Sequence, residues 1–288
     1  MNETDKQLTT AQKKFVTYLK NQGRATATIL AYGKDTGQLV EFLNKKQITQ
    51  VGSVLSEHIE AFKEYLADNN YIAKSISRKL NSIKTFFRYL EEEKLVKDNP
   101  AAVVSHPKYE VKPPRILSKM EYRALRDAAR DDARMAAVIE ILLQTGIRIS
   151  ELGRLQLDNI NDKEIKIKPY ESHSERTVPL NQAAKNALAR YLNIRSKTRN
   201  KNVFVTKTGR PLLVRNIRAA IDRYFKIAGV EKVTVNDLRH TFISHQLVAG
   251  ASVVLVQRLV GHKRLSTTEK YLNLISDKVS QTVKLEEL

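Results

Sequence analysis

Apolar side chains recur at three- and four-residue steps along the first third of the chain, the spacing of helices that pack one face on a core. The same period runs through "FVTYLKNQG", "ATILAYGKDTGQLVEFLNK" and "HIEAFKEYLADN". The pattern predicts an N-terminal bundle of about four helices. Its clearest member is "AKSISRKLNSIKTFFRYLEEEKLV", where one face collects Ile76, Leu80, Ile83, Phe87 and Leu90.

This periodicity stops at a segment rich in proline. Residues 99–118, "NPAAVVSHPKYEVKPPRILS", hold four of the seven prolines, and proline fixes φ and disfavours helix in the residue before it. The segment predicts a linker, and we place it at 106–118, between domains at 1–105 and 119–288. A chain of 288 residues also exceeds the length at which one hydrophobic core is usual.

Beyond the linker the pattern is helical again and then alternates. "SKMEYRALRDAARDDARMAAVIEILLQTG" predicts helices, whereas "KEIKIK" places Ile165 and Ile167 opposite Lys166 and Lys168 on a strand. "RTVPL" is expected to pair with it and "NVFVT" to add a third strand. The predicted fold class is mainly α, an N-terminal helical bundle joined by a linker to a mixed α+β domain with a small antiparallel sheet.

Composition narrows the choice of partner. With 50 Lys and Arg against 31 Asp and Glu, the net charge is +19 and the pI about 9.9, a balance typical of proteins that bind polyanions. Nucleic acid is therefore the leading partner, ahead of charge that only confers solubility. Residues 1–105 carry a net +4 and residues 106–288 a net +15, so most of the positive charge lies in the second domain.

The basic face of one predicted helix provides candidate DNA-binding residues. Opposite the apolar face that ends at Leu90, this helix carries Lys74, Arg78 and Arg88. Solvation alone explains many such faces, and it is the charge of the whole chain that favours phosphate contact.

Several catalytic classes lack their motifs. There is no cysteine, no glycine-rich loop ending in Gly-Lys-Ser or Gly-Lys-Thr, and no His-Glu-x-x-His. Asp131 and Asp132 lie in a charged segment expected to face solvent, which gives little support to a carboxylate-bound metal. We expect chemistry without metal or cofactor. A polar N-terminus and the lack of a long apolar run predict no membrane contact and a cytoplasmic protein associated with the nucleoid.

Residues 259–275, "LVGHKRLSTTEKYLNLI", contain a candidate nucleophile. Gly261 is expected to end an apolar helix, with His262 just beyond it. "STTE" fits a capping box with Ser266 as N-cap, which would place Tyr271 in the second turn of a new helix. An ordinary core tyrosine is the alternative interpretation, since buried tyrosines are common.

Two further stretches place this tyrosine in context. "LLQTGIRISELGRLQLDNI" carries Arg148, and "VTVNDLRHTFISHQLVAG" carries Arg239 followed by His240, a candidate supporting residue. With the Tyr271 stretch they resemble, in order, the motifs of the tyrosine recombinases, the phage integrase family. The resemblance is closest to the short two-domain Xer-type members and covers nearly the whole chain. The first domain resembles the family's core-binding, SAM-like domain and the rest its catalytic domain.

The resemblance implies a reaction and a role for each residue. The enzyme would be a site-specific recombinase that cuts and rejoins DNA strands through a 3′-phosphotyrosyl intermediate, without metal, ATP or another cofactor. Tyr271 would be the nucleophile, and Arg148 and Arg239 would clamp the phosphate oxygens. His262 matches a histidine that hydrogen-bonds the phosphate, although a loop histidine that caps the preceding helix is the alternative. Glu151 matches an acidic position that orients the site, or is an ordinary surface glutamate.

Two positions depart from the family pattern. A histidine or lysine is usual three residues before the second arginine, and here that residue is Asn236, which can hydrogen-bond a phosphate oxygen or cap the helix of Arg239. The hairpin lysine that protonates the leaving 5′ oxygen would, by spacing, fall on Glu171. Strand alternation makes Lys168 our candidate for this role, with Lys166 next.

By resemblance the protein clamps double-stranded DNA and acts as a tetramer on two sites, alone or with a second recombinase. The segment 276–288, "SDKVSQTVKLEEL", would dock on a neighbouring protomer. Two alternatives stay open. One is DNA relaxation like that of a type IB topoisomerase, and the other is a catalytically silent DNA-binding protein on the same fold.

Overall fold

The chain is built from two compact units that divide between Val111 and Lys112. The computed structural model describes residues 6–170 and 173–274. No helix or strand covers residues 104–118, which contain the division. Each unit has its own hydrophobic core, as expected for a chain of this length.

The N-terminal unit is the predicted helical bundle. The apolar face of its last helix is buried as the spacing predicts, with every member at most 5% exposed, and the rings of Phe15 and Phe86 lie 5.2 Å apart between its first and last helices. The helices described here are α1 (Leu8–Asn21), α2 (Thr26–Lys45), α3 (Ser56–Asp68) and α4 (Ala73–Glu92).

The second unit is mainly helical with a small antiparallel sheet, which confirms the predicted fold class. Strand β1 (Glu164–Ile167) pairs with β2 (Arg176–Pro179), and Ile167 lies opposite Arg176. Ile165 and Ile167 are buried and Lys166 is exposed, so the predicted alternation is also confirmed. The helices are α5 (Lys119–Ala128), α6 (Ala133–Thr145), α7 (Ile149–Arg154), α8 (Gln182–Ile194), α9 (Val214–Ile227), α10 (Val235–Val248), α11 (Val253–Val260) and α12 (Ser266–Glu269).

The prediction of a third strand at "NVFVT" is wrong. In the described part of the chain the sheet has two strands, and this segment makes only isolated bridges, Gln156 with Asn202 and Val205 with Pro211. Val203 and Phe204 are instead almost fully buried in the core. Their apolar character therefore reflects burial, which periodicity alone does not separate from strand pairing over so short a run.

The predicted cap of α12 is wrong, and the structure excludes the capping alternative for Asn236. Helix α12 begins at Ser266, has Leu265 as its N-cap and makes no side-chain capping bond. It ends at Glu269, so Tyr271 lies two residues beyond it instead of in its second turn. Thr234, and not Asn236, is the N-cap of α10.

No helix in the ranges 6–170 and 173–274 is both long and apolar enough to cross a membrane.

Candidate active site

The C-terminal end of α11 organises the candidate site. Gly261 ends this helix in the left-handed conformation, with φ of +67°, as predicted. The backbone N–H groups of Gly261 and His262 both bind the carbonyl oxygen of Gln257. The N–H of Gly261 also binds the carbonyl oxygen of Arg258. The carbonyl groups of Leu259, Val260 and Gly261 come at the end of the helix, where partners within the helix are lacking, so they can accept hydrogen bonds from elsewhere.

Three arginine side chains bind those carbonyl oxygens. The C-terminus of a helix carries partial negative charge and therefore favours cations. The guanidinium groups of Arg148 and Arg239 meet on the carbonyl oxygen of Val260, at 3.5 and 2.6 Å. The other bonds run from Arg148 Nη2 to the oxygen of Gly261, and from Arg176 Nε to that of Leu259, both at 2.8 Å. Arg148, Arg176 and Arg239 are called the arginine cluster below.

Arg239 is the more deeply buried of the two motif arginines, with 9% of its surface exposed. Its Nη1 donates to the carbonyl oxygen of Gly146 at 2.6 Å. Gly146 has a φ of +61°, and a Cβ at this position would lie 2.3 Å from a ring carbon of Phe242, so only glycine fits. Burial and the positive charge of Arg148 lower the pKa of Arg239, yet a guanidinium group stays charged in proteins.

Glu151 is buried inside the cluster and is not a surface glutamate. Arg176 binds its carboxylate with Nη1 and Nη2 at 2.8 and 2.6 Å, and Arg148 binds it through Nη1 at 3.0 Å and the backbone N–H at 2.8 Å. Burial raises the pKa of Glu151, but the hydrogen bonds and charges of Arg176 and Arg148 outweigh burial and lower the pKa to about 2. Glu151 is therefore ionised and holds two arginines in place.

Arg176 is the member of the cluster that the sequence motifs do not single out. It is the first residue of β2 and lies on the same strand face as the buried Val178. The sequence feature that could have identified it is an arginine at an inward-facing position of a short strand. Gly261 leaves room for it, since a Cβ there would lie 3.0 Å from Arg176 Nη1.

His262 lies beside the cluster and is held by a hydroxyl group. Its Nδ1 is 2.9 Å from Oγ1 of the buried Thr268. Burial, together with the charges of Arg239 and Arg148, lowers the pKa of His262 to about 4. The imidazole is thus neutral at pH 7. Its backbone N–H binds Gln257 at the end of α11, which gives the capping interpretation a structural basis, and phosphate contact by the ring stays a prediction.

Tyr271 has its ring in a small apolar cluster, and the charge of Arg239 acts on its hydroxyl. The ring is 5% exposed and belongs to a cluster with Phe242 and Val260, and its centroid lies 5.9 Å from that of His240. Burial raises the pKa of Tyr271 to about 12, although the charge of Arg239 acts in the opposite direction. Packing and proximity to the arginine cluster therefore coexist at this residue.

His240 and Asn236 lie on α10 together with Arg239. The Nδ1 atom of His240 is 3.0 Å from Oδ1 of Asp237. Asp237 in turn accepts the backbone N–H and the hydroxyl of Thr234 at 2.7 and 2.9 Å. Asn236 is exposed in the first turn of the helix. Because Thr234 is the cap, the capping alternative for Asn236 is excluded, and phosphate contact stays a prediction.

The hairpin lysines and His262 line different cavities. Lys168 Nζ donates to Gln156 Oε1 at 3.2 Å, in a cavity of about 400 Å³ that Glu151 also lines. Lys166 is exposed and pairs with Glu175 at 2.9 Å. Glu171, where the family spacing would place the lysine, lies outside the described residues.

The candidate DNA-binding residues of α4 differ in their surroundings. Lys74, Arg78 and Arg88 are all exposed. Arg78, however, also binds the buried carboxylate of Asp35 through Nη1 and Nη2, at 2.5 and 3.0 Å. Its charge is thus partly neutralised within the bundle.

Metal-ligating side chains are scattered across the described ranges, where no three histidine, aspartate or glutamate residues group around a common point.

Comparison with known proteins identifies the family to which this two-unit chain belongs. The chain belongs to the phage integrase family, which matches residues 115–277, and the family's N-terminal SAM-like domain matches residues 13–94. It is 35% identical over 280 residues to tyrosine recombinase XerC of Thermodesulfovibrio yellowstonii, covering 90% of each chain. It is 32% identical over 269 residues to tyrosine recombinase XerD of Rickettsia bellii, covering 86% of this chain and 88% of that one.

Solved structures agree on the fold. The XerA recombinase structure is 26% identical, with a TM-score of 0.55, and the match covers 96% of this chain and 99% of that one. A lambda integrase dimer bound to a COC′ core site is 18% identical, with a TM-score of 0.77 over 91% and 97% of the two chains, a likeness of fold alone. The activity is accordingly site-specific DNA recombination by a tyrosine recombinase, and neither topoisomerase-like relaxation nor a silent DNA-binding role is favoured.

Proposed function

We propose that Tyr271 attacks a DNA phosphodiester held by Arg148 and Arg239 and forms a 3′-phosphotyrosyl link. The observation that supports this most is that the guanidinium groups of Arg148 and Arg239 both donate to the carbonyl oxygen of Val260. The charge of Arg239 also counteracts the rise in the pKa of Tyr271 that burial causes. A phosphate offers several charged oxygens to the same donors. The planar guanidinium group can bind two of these oxygens at once, which favours arginine over lysine.

The reaction breaks one bond to phosphorus for each bond it makes. The Tyr271 hydroxyl loses its proton to water, its oxygen bonds to phosphorus, and the bond from phosphorus to the 5′ oxygen breaks. The leaving 5′ oxygen keeps the electron pair and takes up a proton. Attack by the 5′ hydroxyl of a different strand reverses these steps, so the bond energy is retained in the phosphotyrosine and ATP is not required.

The remaining site residues support this step in different ways. Neutral His262 would donate its N–H to a phosphate oxygen, and Asn236 would add an uncharged hydrogen bond. Glu151 acts through the arginines that it holds, and His240 through the helix of Arg239. Because negative charge grows on the phosphate oxygens in the transition state, the fixed positive charges stabilise that state more than the ground state.

Both units would bind the same DNA duplex as a clamp, through Lys74 and Arg88 and to a smaller extent Arg78 on α4. Assembly as a tetramer on two DNA sites, alone or with a second recombinase, is part of the proposal, as is a cytoplasmic location on the nucleoid. A lambda integrase structure of the same fold is a tetramer bound to a Holliday junction. The segment 276–288, proposed to dock on a neighbouring protomer, lies outside the described residues.

The test begins with a binding site selected from random duplex DNA by the wild-type protein. This site is nicked near the cleaved position, so that the cut strand diffuses away and the covalent product accumulates. Wild-type protein should form an adduct that survives denaturation. Tyr271→Phe removes one oxygen and keeps the ring packing, so it should bind the site and form no adduct.

The matched control is Tyr224→Phe. Tyr224 is another buried tyrosine, and its hydroxyl donates to Asp132 at 3.2 Å, so it is bonded to a residue outside the arginine cluster. This variant should form the adduct at the wild-type rate. An adduct formed by Tyr271→Phe would contradict the proposal.

A further inference from the structure

A cavity of about 730 Å³ opens between the β1–β2 hairpin and the end of α11. Its lining includes His173 and Arg176 from the hairpin and Gly261, His262 and Lys263 from the segment after the helix. The cavity is therefore the space next to the arginine cluster. It brings His173, a residue that no sequence motif identifies, to the same space as His262.

The hairpin backbone fixes the position of His173. Its N–H and C=O pair with those of Tyr170, at 3.0 and 3.1 Å, which continues the hairpin beyond the pair of Ile167 and Arg176. The guanidinium group of Arg154 stacks on the ring of Tyr170 at 3.2 Å. These contacts position Tyr170 and His173, which lie outside the regular strands.

Charged groups from each element around the cavity act on His173. Burial and the positive charge of Arg148 lower the pKa of His173 below its usual range, and the carboxylate of Glu151 acts against them. A DNA phosphate in the cavity would add negative charge and favour the protonated ring. The positive charges of Lys263 after α11 and Arg176 in β2 also lower the pKa of His173. The cavity is further lined by the charged residues Glu175 in the hairpin and Arg258 in α11, and by the imidazole of His262.

We infer that His173 is the proton donor to the leaving 5′ oxygen, a role that rests on the proposed function and for which Lys168 is the sequence-based candidate. When the Tyr271 oxygen bonds to phosphorus, the 5′ oxygen departs with the bonding pair and takes the proton of the His173 imidazolium. The ring is left neutral. During rejoining, the neutral ring accepts the proton of the attacking 5′ hydroxyl and returns to its starting state.

Placement favours His173 over Lys168. The side chain of His173 lines the cavity that contains His262, whereas Lys168 donates to Gln156 in a separate cavity. A histidine also titrates close to neutral pH, where it can both give and receive a proton in the two halves of the reaction.

The first experiment compares two leaving groups on the selected, nicked site with the full-length protein. One substrate carries the normal 5′-bridging oxygen and the other a 5′-bridging sulfur, which leaves with little protonation because thiols are far more acidic than alcohols. His173→Gln should slow cleavage of the oxygen substrate by about 100-fold and that of the sulfur substrate by less than about threefold. Ser174→Ala changes the exposed neighbouring residue and should behave as wild type on both.

The second experiment follows the ratio of the two cleavage rates against pH. Contributions of Tyr271 and the arginine cluster affect both substrates and cancel in this ratio. With His173 as donor, the ratio of oxygen to sulfur rates should fall as pH rises through the pKa of His173 in the complex, whereas a lysine donor would keep the ratio constant to about pH 10. His173→Lys should recover most of the oxygen-substrate rate and give a constant ratio between about pH 6 and 9.

Equal slowing of His173→Gln on both substrates would overturn the inference. Sulfur rescue of Lys168→Ala without rescue of His173→Gln would also overturn it and assign the proton to the lysine. In either case the wild-type adduct would still support the proposed function. Absence of an adduct from the wild-type protein on both substrates would overturn the proposed function and the inference together.

Discussion

Each unit of this protein buries one carboxylate among basic side chains, and the two clusters differ in how they use it. In the N-terminal unit, Asp35 accepts bonds from Arg78, Lys79 and Ser82, and the Lys79 ammonium is almost fully buried with it. In the second unit, Glu151 accepts from two arginines, while a third is held only by neutral carbonyl oxygens.

The second cluster therefore has a surplus of positive charge that the first does not share to the same degree. In the Asp35 cluster the remaining charge belongs to Arg78, whose side chain is 52% exposed and solvated. In the arginine cluster the surplus includes Arg239, which is buried. A buried cation without a full counter-charge costs stability and is typical of functional sites. The Asp35 cluster thus joins helices, whereas the arginine cluster carries the unbalanced positive charge that is typical of an anion-binding site.

Removal of Arg239 is expected to have the largest effect. Arg239→Ala should slow covalent cleavage of the nicked site by about 10³-fold or more, because a positive charge on the transferring phosphate is lost. Arg239→Lys should remain strongly impaired, since an ammonium group does not reproduce the guanidinium fork. Adduct rates at saturating protein give the comparison, and circular dichroism checks the fold. A near-normal rate for Arg239→Lys would show that charge alone suffices.

Asp35→Asn tests the structural role of the Asp35 cluster in the N-terminal unit. It should destabilise the protein by roughly 3–5 kcal/mol, because Lys79 would be left buried without its counter-charge. Urea unfolding measures the loss, and the cleavage rate per folded molecule should stay unchanged. Ser82→Ala, which removes only a neutral donor, is the matched control and should cost about 1 kcal/mol. A cleavage defect in folded Asp35→Asn would show that this cluster is more than structural.

Glu151 predicts a specific loss of stability in acid. Its folded pKa is lowered to about 2, so its contribution is complete above the unfolded value of about 4.5 and is lost as pH falls from there toward 2. The contribution is about 3 kcal/mol. The difference in urea stability between wild type and Glu151→Gln should therefore shrink over this pH range. A difference that stays constant from pH 5 to 2 would show that ionisation of Glu151 is not what stabilises the cluster.

The smallest effects are expected on DNA affinity from α4. Arg88→Ala should lower the slope of log affinity against log salt by about one, as expected for one lost phosphate contact. Arg78→Ala should lower it less, because Asp35 already binds this guanidinium group. Filter binding between low and moderate salt measures both slopes. An equal reduction would mean that Arg78 leaves Asp35 to contact DNA.

The periodicity of apolar residues correctly predicted the helices and strands that bury only one face. Ile76 and Leu80 on α4, and Ile165 and Ile167 on β1, repeat with the period of their element and are buried as spaced. Val203 and Phe204 are buried on all sides, so their run carried no period and was wrongly assigned to a strand. The predicted cap at Ser266 was wrong, and the choice between capping and phosphate contact for Asn236 stayed open, because several polar residues adjoin each helix start and tertiary contacts decide which of them caps.

The site itself followed from motifs only in part. Arg148, Arg239 and His262 stood out through resemblance and converge at the end of α11. Arg176 and His173 line the same cavity as His262. They come from the hairpin, whose position against α11 is set by tertiary contacts between residues far apart in the sequence. Spacing within the hairpin suggested Lys168, since strand alternation predicts a face and not the element that the face will meet. Placement of these side chains required the tertiary structure.

The most direct measurement is to identify the residue that becomes attached to DNA. Wild-type protein is reacted with the nicked site, the DNA is trimmed with nuclease, and the protein is digested and analysed by mass spectrometry. We predict a nucleotide joined through its 3′ phosphate to Tyr271, on the peptide that follows His262. A nucleotide on any other residue, or attached through its 5′ phosphate, would contradict the assignment of Tyr271 as the nucleophile.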